Sequence, residues 1–111
     1  MKIVEVVIEK WNEGTSPEEP FDEERFSITA EAKVICDHGF TDTIETGGTS
    51  DVYSSTVAEV EQEQLAELRS KLLDKGFSSR AITAAINQMK INRVLEALDG
   101  RGQVPSALVD E

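Results

Sequence analysis

Cations are scarce in this chain: 11 Lys and Arg stand against 22 Asp and Glu, a net charge of −11. That shortage excludes the phosphate backbone as a direct ligand, because nucleic-acid affinity comes mostly from cations that displace counterions. Cysteine is nearly missing. The single Cys36 can close no internal disulfide, which fits a reducing compartment. Long apolar runs are missing too: none approaches the ~20 residues needed to cross a bilayer. Glu5 and Glu9 interrupt the apolar start, so it does not read as a secretory signal. A cytoplasmic protein that touches neither membrane nor nucleic acid is expected. With one His, one Cys and no recognisable catalytic motif, no reaction can be assigned, and no catalytic residue, cofactor or metal is expected.

The charge that is present is placed unevenly. Residues 1–55 hold 13 acids and 4 bases, while residues 56–111 hold 9 acids and 7 bases. The 111 residues, 39% of them hydrophobic, make a single domain able to bury a core without disulfides or metal. Residues 1–55 form its β-sheet part, with an acidic loop at 12–24. Residues 56–99 form its helical part, and residues 100–111 are expected to be a flexible tail, with Val104, Leu108 and Val109 as docking residues.

Period-2 alternation marks the strands. Over residues 2–11, Val4, Val6 and Ile8 share one face, and Glu5, Val7, Glu9 and Trp11 the other. From Arg25 to Asp37, Phe26, Ile28, Ala30, Ala32, Val34 and Cys36 point one way, towards the expected helices, and Arg25, Ser27, Thr29, Glu31 and Lys33 the other. Asp37-His38-Gly39 turns the chain into a third strand over Phe40 to Thr46, and a brief fourth strand is expected around Val52 and Tyr53. A helix capped by Ser55 or Thr56 then runs to Lys75, with Ala58, Leu65, Leu68 and Leu72 in one stripe. Gly76 supplies a left-handed C′ residue, Phe77 the apolar contact after it, and Ser78 the cap of a second helix.

That second helix, Ser79 to Leu98, is apolar on two sides: Ile82, Ile86 and Met89 on one, Ile91, Val94, Leu95 and Leu98 almost opposite. Either the chain breaks near Lys90 into a third short helix, or one long helix lies between its own sheet and another subunit, with Ile91, Val94, Leu95 and Leu98 as the oligomer interface. The expected fold is α+β, an antiparallel sheet of three or four strands packed on a C-terminal helical hairpin.

Three clusters are candidate sites. Cys36, Asp37, His38 and Asp42 have ligand-type side chains but too few donors for a metal; a small core thiol and a solvated turn histidine explain them. Gly47, Gly48, Thr49 and Ser50 could let backbone amides cradle an anion, although Glu45 and Asp51 beside them have the wrong sign, and a plain turn needs the same residues. The third cluster joins Glu5, Glu9, Glu13, Glu18, Glu19, Asp22, Glu23 and Glu24 with the aromatics Trp11 and Phe21. It has the make-up of a protein-binding surface with an apolar anchor inside a charged rim.

The helix, Lys75-Gly76-Phe77-Ser78, helix arrangement over Leu68 to Leu98 resembles the Gly-Phe turn and second helix of ubiquitin-associated domains, and is similar to the short helical repeats of RecX-type recombinase regulators. A glycine-terminated helix followed by an apolar residue requires the same letters without kinship, and no function is carried over. Two expectations follow from the residues. The first is a non-catalytic acidic inhibitor that occupies the basic, nucleic-acid-binding surface of a partner protein, resembling by composition the anti-defence inhibitors of phage and mobile elements. The second is a homo-oligomeric module that sequesters a small, nucleotide-like ligand at the Gly47-Gly48 loop.

Overall fold

Strand β2, Arg25–Ile35, is the axis of the fold. The computed structural model describes residues 1–14 and 24–100. In it β2 pairs antiparallel along one edge with β1, Lys2–Gly14, and along the other with β3, Thr41–Glu45, and then β4, Thr49–Tyr53. Two helices follow, α1 over Val57–Asp74 and α2 over Ser79–Gly100. The fold is α+β, with both helices on one face of a four-stranded antiparallel sheet. None of the described helices is long and apolar enough to cross a membrane.

The alternation of β2 decides which face is covered. Ile28, Ala30, Ala32 and Val34 are buried. Ala30, Ala32 and Val34 pack with Val6 and Ile44 against Leu65, Leu68 and Leu72 of α1, Phe77, and Ile82 and Met89 of α2. The two alanines keep the middle of the sheet low, so the leucines of α1 can sit close to it. Residues of β2 between these positions face the opposite side, which no described element covers.

Several boundaries differ from the sequence expectation. β1 runs three residues past Trp11, because Trp11, Asn12 and Gly14 still find partners in Ser27, Phe26 and Arg25; the acidic stretch therefore begins inside the sheet. Near its start β1 carries a bulge: Ile3 opposes Val34 and Glu5 opposes Lys33, leaving Val4 as the extra residue. Ile3 takes the inward place expected of Val4, which stands exposed. Thr56 does precede α1, but its hydroxyl donates to the Tyr53 carbonyl (3.0 Å) instead of capping the helix. Ala58, assigned to the buried stripe, is exposed. Of the tail expected over residues 100–111, Gly100 is the last residue of α2, and the rest, with Val104, Leu108 and Val109, lies outside the described residues.

The helical hairpin closes as its letters require. The Gly76 amide donates to the Leu73 carbonyl (3.0 Å) and the Phe77 amide to that of Leu72 (3.1 Å). This is the paired bonding of a left-handed helix stop, with Gly76 at φ +102° and Phe77 buried beside Leu72. Ser78 then caps α2 by accepting from the Ala81 amide (3.1 Å). The hairpin is tied along its length: Arg69 donates to the hydroxyls of Ser79 (2.5 Å) and Thr83 (2.9 Å). Arg93 grips both oxygens of Glu61 (3.2 and 3.3 Å). Glu61 is thus a buried partner of α2.

The break near Lys90 does not occur. α2 is helical throughout Ser79–Gly100, and no third helix follows it among the described residues. Ile82 and Met89 are buried, whereas Ile91, Val94 and Leu95 are 52%, 60% and 53% exposed. A helix has only one side to lay on a sheet, so Ile91, Val94 and Leu95 of the second apolar stripe are left uncovered by the described residues, while Leu98 is half-buried.

Replacing Gly76 by alanine forces a Cβ into left-handed backbone, where it also meets the Met1 side chain at 3.1 Å. Gly76→Ala is expected to lower stability by about 1 kcal/mol, read as a reduced urea midpoint with an unchanged slope.

Candidate partner-binding face

Pairing register places the candidate side chains on the uncovered face. Across from the outward residues of β2 stand Glu5 opposite Lys33, Val7 opposite Glu31, Glu9 opposite Thr29 and Trp11 opposite Ser27. On the other edge, Glu45 lies directly opposite Glu31, Thr43 opposite Lys33 and Tyr53 opposite Arg25. Glu31 and Glu45 thus face each other and Glu9 stands diagonal to Glu31, so the three form an oblique row across three strands. With neighbouring strands about 4.8 Å apart and a two-residue offset of about 7 Å, the row spans about 12 Å. Trp11, beside Glu9, and Tyr53 lie towards the Arg25 end of the same face, with 53% and 46% of their surface exposed.

The Glu31 carboxyl feels the other two carboxylates. Partial burial pushes the Glu31 carboxyl above the ordinary glutamate range. The charges of Glu9 and Glu45 and a hydrogen bond with Glu9 push it the same way, and Lys33 pulls it back. Among the described residues no ion pair reaches the carboxylates of Glu9, Glu31 or Glu45. Of the helix cations, Arg93 pairs with Glu61 and Lys71 with Glu67.

The residues expected at the partner surface divide into three groups. Glu5, Glu9 and Trp11 stand on this face. Glu13 and Glu24 serve the structure at its end: Glu13 accepts from the Asp51 amide (2.9 Å), and Glu24 accepts from the Asn12 side chain (3.0 Å). Glu18, Glu19, Phe21, Asp22 and Glu23 lie outside the described residues. Glu31 and Glu45, the centre of the row, were not among the candidates. Their signal was present in the sequence, since Glu31 belongs to the wet set of its strand. A turn in which the Cys36 amide bonds the Phe40 carbonyl fixes Glu45 opposite it.

The Gly47-Gly48 loop has a different task. It carries the chain from β3 to β4 along the same edge of β2. Just before it, Thr46 replaces a strand residue with its own side chain: its amide donates to the Ala30 carbonyl (2.9 Å), and its hydroxyl accepts from the Ala30 amide (3.0 Å). The Thr46 hydroxyl also meets Gln64 of α1, so both polar groups are satisfied inside the core. Gly48, at φ +73°, passes so close to β2 that a Cβ would lie 2.5 Å from the Thr29 hydroxyl. The Gly47 amide donates to the Glu67 carboxylate (2.7 Å), which occupies the position an external anion would take. Thr49 and Ser50 join Ser27 and Thr29 around a shallow hydroxyl-lined depression on the uncovered face.

Cys36 is half-buried at the edge of the core, and His38 sits in the turn at φ +73°. Among the described residues no group of His, Cys, Asp and Glu is arranged to hold a metal ion. No protein-family model, curated protein or solved structure matches the chain; the helical-hairpin resemblance has no support beyond its turn.

A raised Glu31 pKa means that folding favours the protonated carboxyl. The associated stability is present on the acid side and is lost as pH rises through the raised value. Glu31→Gln removes the repulsion and is expected to gain ~0.2–1 kcal/mol at neutral pH, the size of a cross-strand pair. The gain should vanish below the carboxylate range, at about pH 2.5, as read from urea midpoints at the two pH values.

Proposed function

We propose that the protein is a non-catalytic inhibitor whose uncovered sheet face docks on a basic surface of a partner protein, at a place where that partner binds nucleic acid. The observation that supports it is the oblique Glu9–Glu31–Glu45 row, reached by no ion pair among the described residues, with the exposed Trp11 beside Glu9 on the same face. Carboxylates on paired strands are held in fixed positions. A partner's Lys and Arg gain charge-assisted contacts without first having to order the acids, and Trp11 offers a rigid apolar anchor beside them. The long-range field of a −11 chain would speed encounter with a basic groove and turn away nucleic acid itself. Competition is the mechanism: carboxylates fill places where phosphates would sit. The sequestering module has no comparable support, because the Gly47 amide is already bonded to Glu67.

The test is capture from host lysate with the wild-type chain and with a Glu9→Lys, Glu31→Lys, Glu45→Lys variant. The expected partner is a nucleic-acid-binding protein held at ~50 mM salt, released by ~500 mM salt and by excess oligonucleotide, and bound at least about tenfold more weakly by the variant. Affinity that ignores salt, or equal capture by the variant, would refute the reading.

A further inference from the structure

We infer that α2 pairs with α2 of a second copy, antiparallel about a two-fold axis between Val94 and Leu95, so that the chain dimerises through its helical layer and leaves both acidic sheet faces free. Three observations lead there. The first is the stripe itself, with Ile91, Val94 and Leu95 exposed and Leu98 half-buried among the described residues, on a continuous helix opposite the buried Ile82 and Met89.

The second is its spacing. Ile91, Val94, Leu95 and Leu98 read the same in both directions, with gaps of three, one and three. An isologous interface lays one patch on its own rotated image. About an axis between positions 94 and 95, Ile91 meets Leu98 of the other copy, and Val94 meets Leu95. Antiparallel pairing also opposes the two helix dipoles, whereas parallel pairing would align them and bring Lys90 level with its own copy.

The third is charge. Two chains of net charge −11 repel over most of their surfaces, yet residues 75–95 contain no acid at all, and Lys75, Arg80, Lys90 and Arg93 are their charged groups. Arg93 is already paired with Glu61. In the antiparallel arrangement the two Lys90 positions are nine residues apart along the axis, about 13 Å at the helical rise, beyond the screening length at physiological salt. The stripe also spans Glu96, but at about 100° per residue this acid falls on the side of the helix away from Ile91, Val94 and Leu95, so the acidic chain can meet itself here with few carboxylates in the contact. A contact of four side chains per copy is smaller than the roughly 800 Å² per partner of a standard interface, so a weak, concentration-dependent dimer is expected.

Sedimentation equilibrium on the full chain, from about 5 to 500 μM, tests it by mass action. The expected result is a reversible monomer–dimer equilibrium that Leu95→Asp weakens at least tenfold. Position 95 is exposed in the single chain, so the melting temperature of the dilute monomer should not change. In a Cys36→Ala background, a mixture of Ile91→Cys and Leu98→Cys chains should cross-link with a short bis-maleimide, and neither chain should do so alone. A wild type that stays monomeric at every concentration overturns the inference, as does a dimer indifferent to Leu95→Asp. Cross-linking of each single variant with itself would instead show parallel pairing and overturn the axis. A monomer destabilised by deletion of residues 101–111 would assign the stripe to the chain's own C-terminal segment.

Discussion

β2 has to satisfy two edges and two faces at once, and the rest of the molecule is arranged around that demand. Its backbone hydrogen-bonds to β1 on one side and to β3 and β4 on the other. Its even residues are apolar, with the small Ala30 and Ala32 under the helices, and its odd residues from Arg25 to Lys33 are polar and face outwards. A shift of one residue in either ladder would carry Glu31 into the core and Ala30 or Ala32 out of it. Burial on one face therefore fixes the geometry of the other, and the carboxylate row is a by-product of the register the core imposes.

The edge made by β3 and β4 shows how a strand can bend without leaving polar groups orphaned. A continuous strand would have to follow β2 along its full twist. The chain steps out at Gly47 and Gly48 instead, and Thr46 fills the missing ladder bonds from its side chain while reaching Gln64. Glu67 and Lys71 secure the outside of the step, Glu67 at the Gly47 amide and Lys71 at the Glu45 carbonyl (2.8 Å). The loop's glycines thus answer to close packing and backbone bonding. They also link α1 to the strand that carries Glu45, which helps hold one end of the acidic row in place.

The division of charge follows the layers. The outward sheet face collects carboxylates that a globular core cannot use, while α2 carries an acid-free stretch beside an uncovered apolar stripe. As proposed above, one side would meet a basic partner and the other a second copy, and the sheet between them keeps the two surfaces apart. Dimerisation through the helices would display two acidic faces pointing away from each other, so that a partner with two basic sites would meet both.

Strands and helices were legible from local pattern because alternation and 3.6-residue periodicity are set by which side chains must leave water. The Gly76-Phe77-Ser78 stop and restart could be read residue by residue, since a left-handed C′ position, its apolar follower and a capping hydroxyl are local requirements. The bulge at Val4 was hidden because a single extra residue leaves the composition of β1 unchanged and appears only against a partner strand. Glu31 and Glu45 were visible as wet positions but not as a pair, because their proximity depends on a hairpin register between residues far apart in the chain. The two-sided pattern of α2 posed a choice that sequence could not make. By itself the sequence determined the kinds of elements, their order and the excess of negative charge, all of which follow from local preference and composition. Only the tertiary structure decided which carboxylates stand together and which apolar stripe stays uncovered, because both depend on one sheet face being buried and on a helix having only one side to give it.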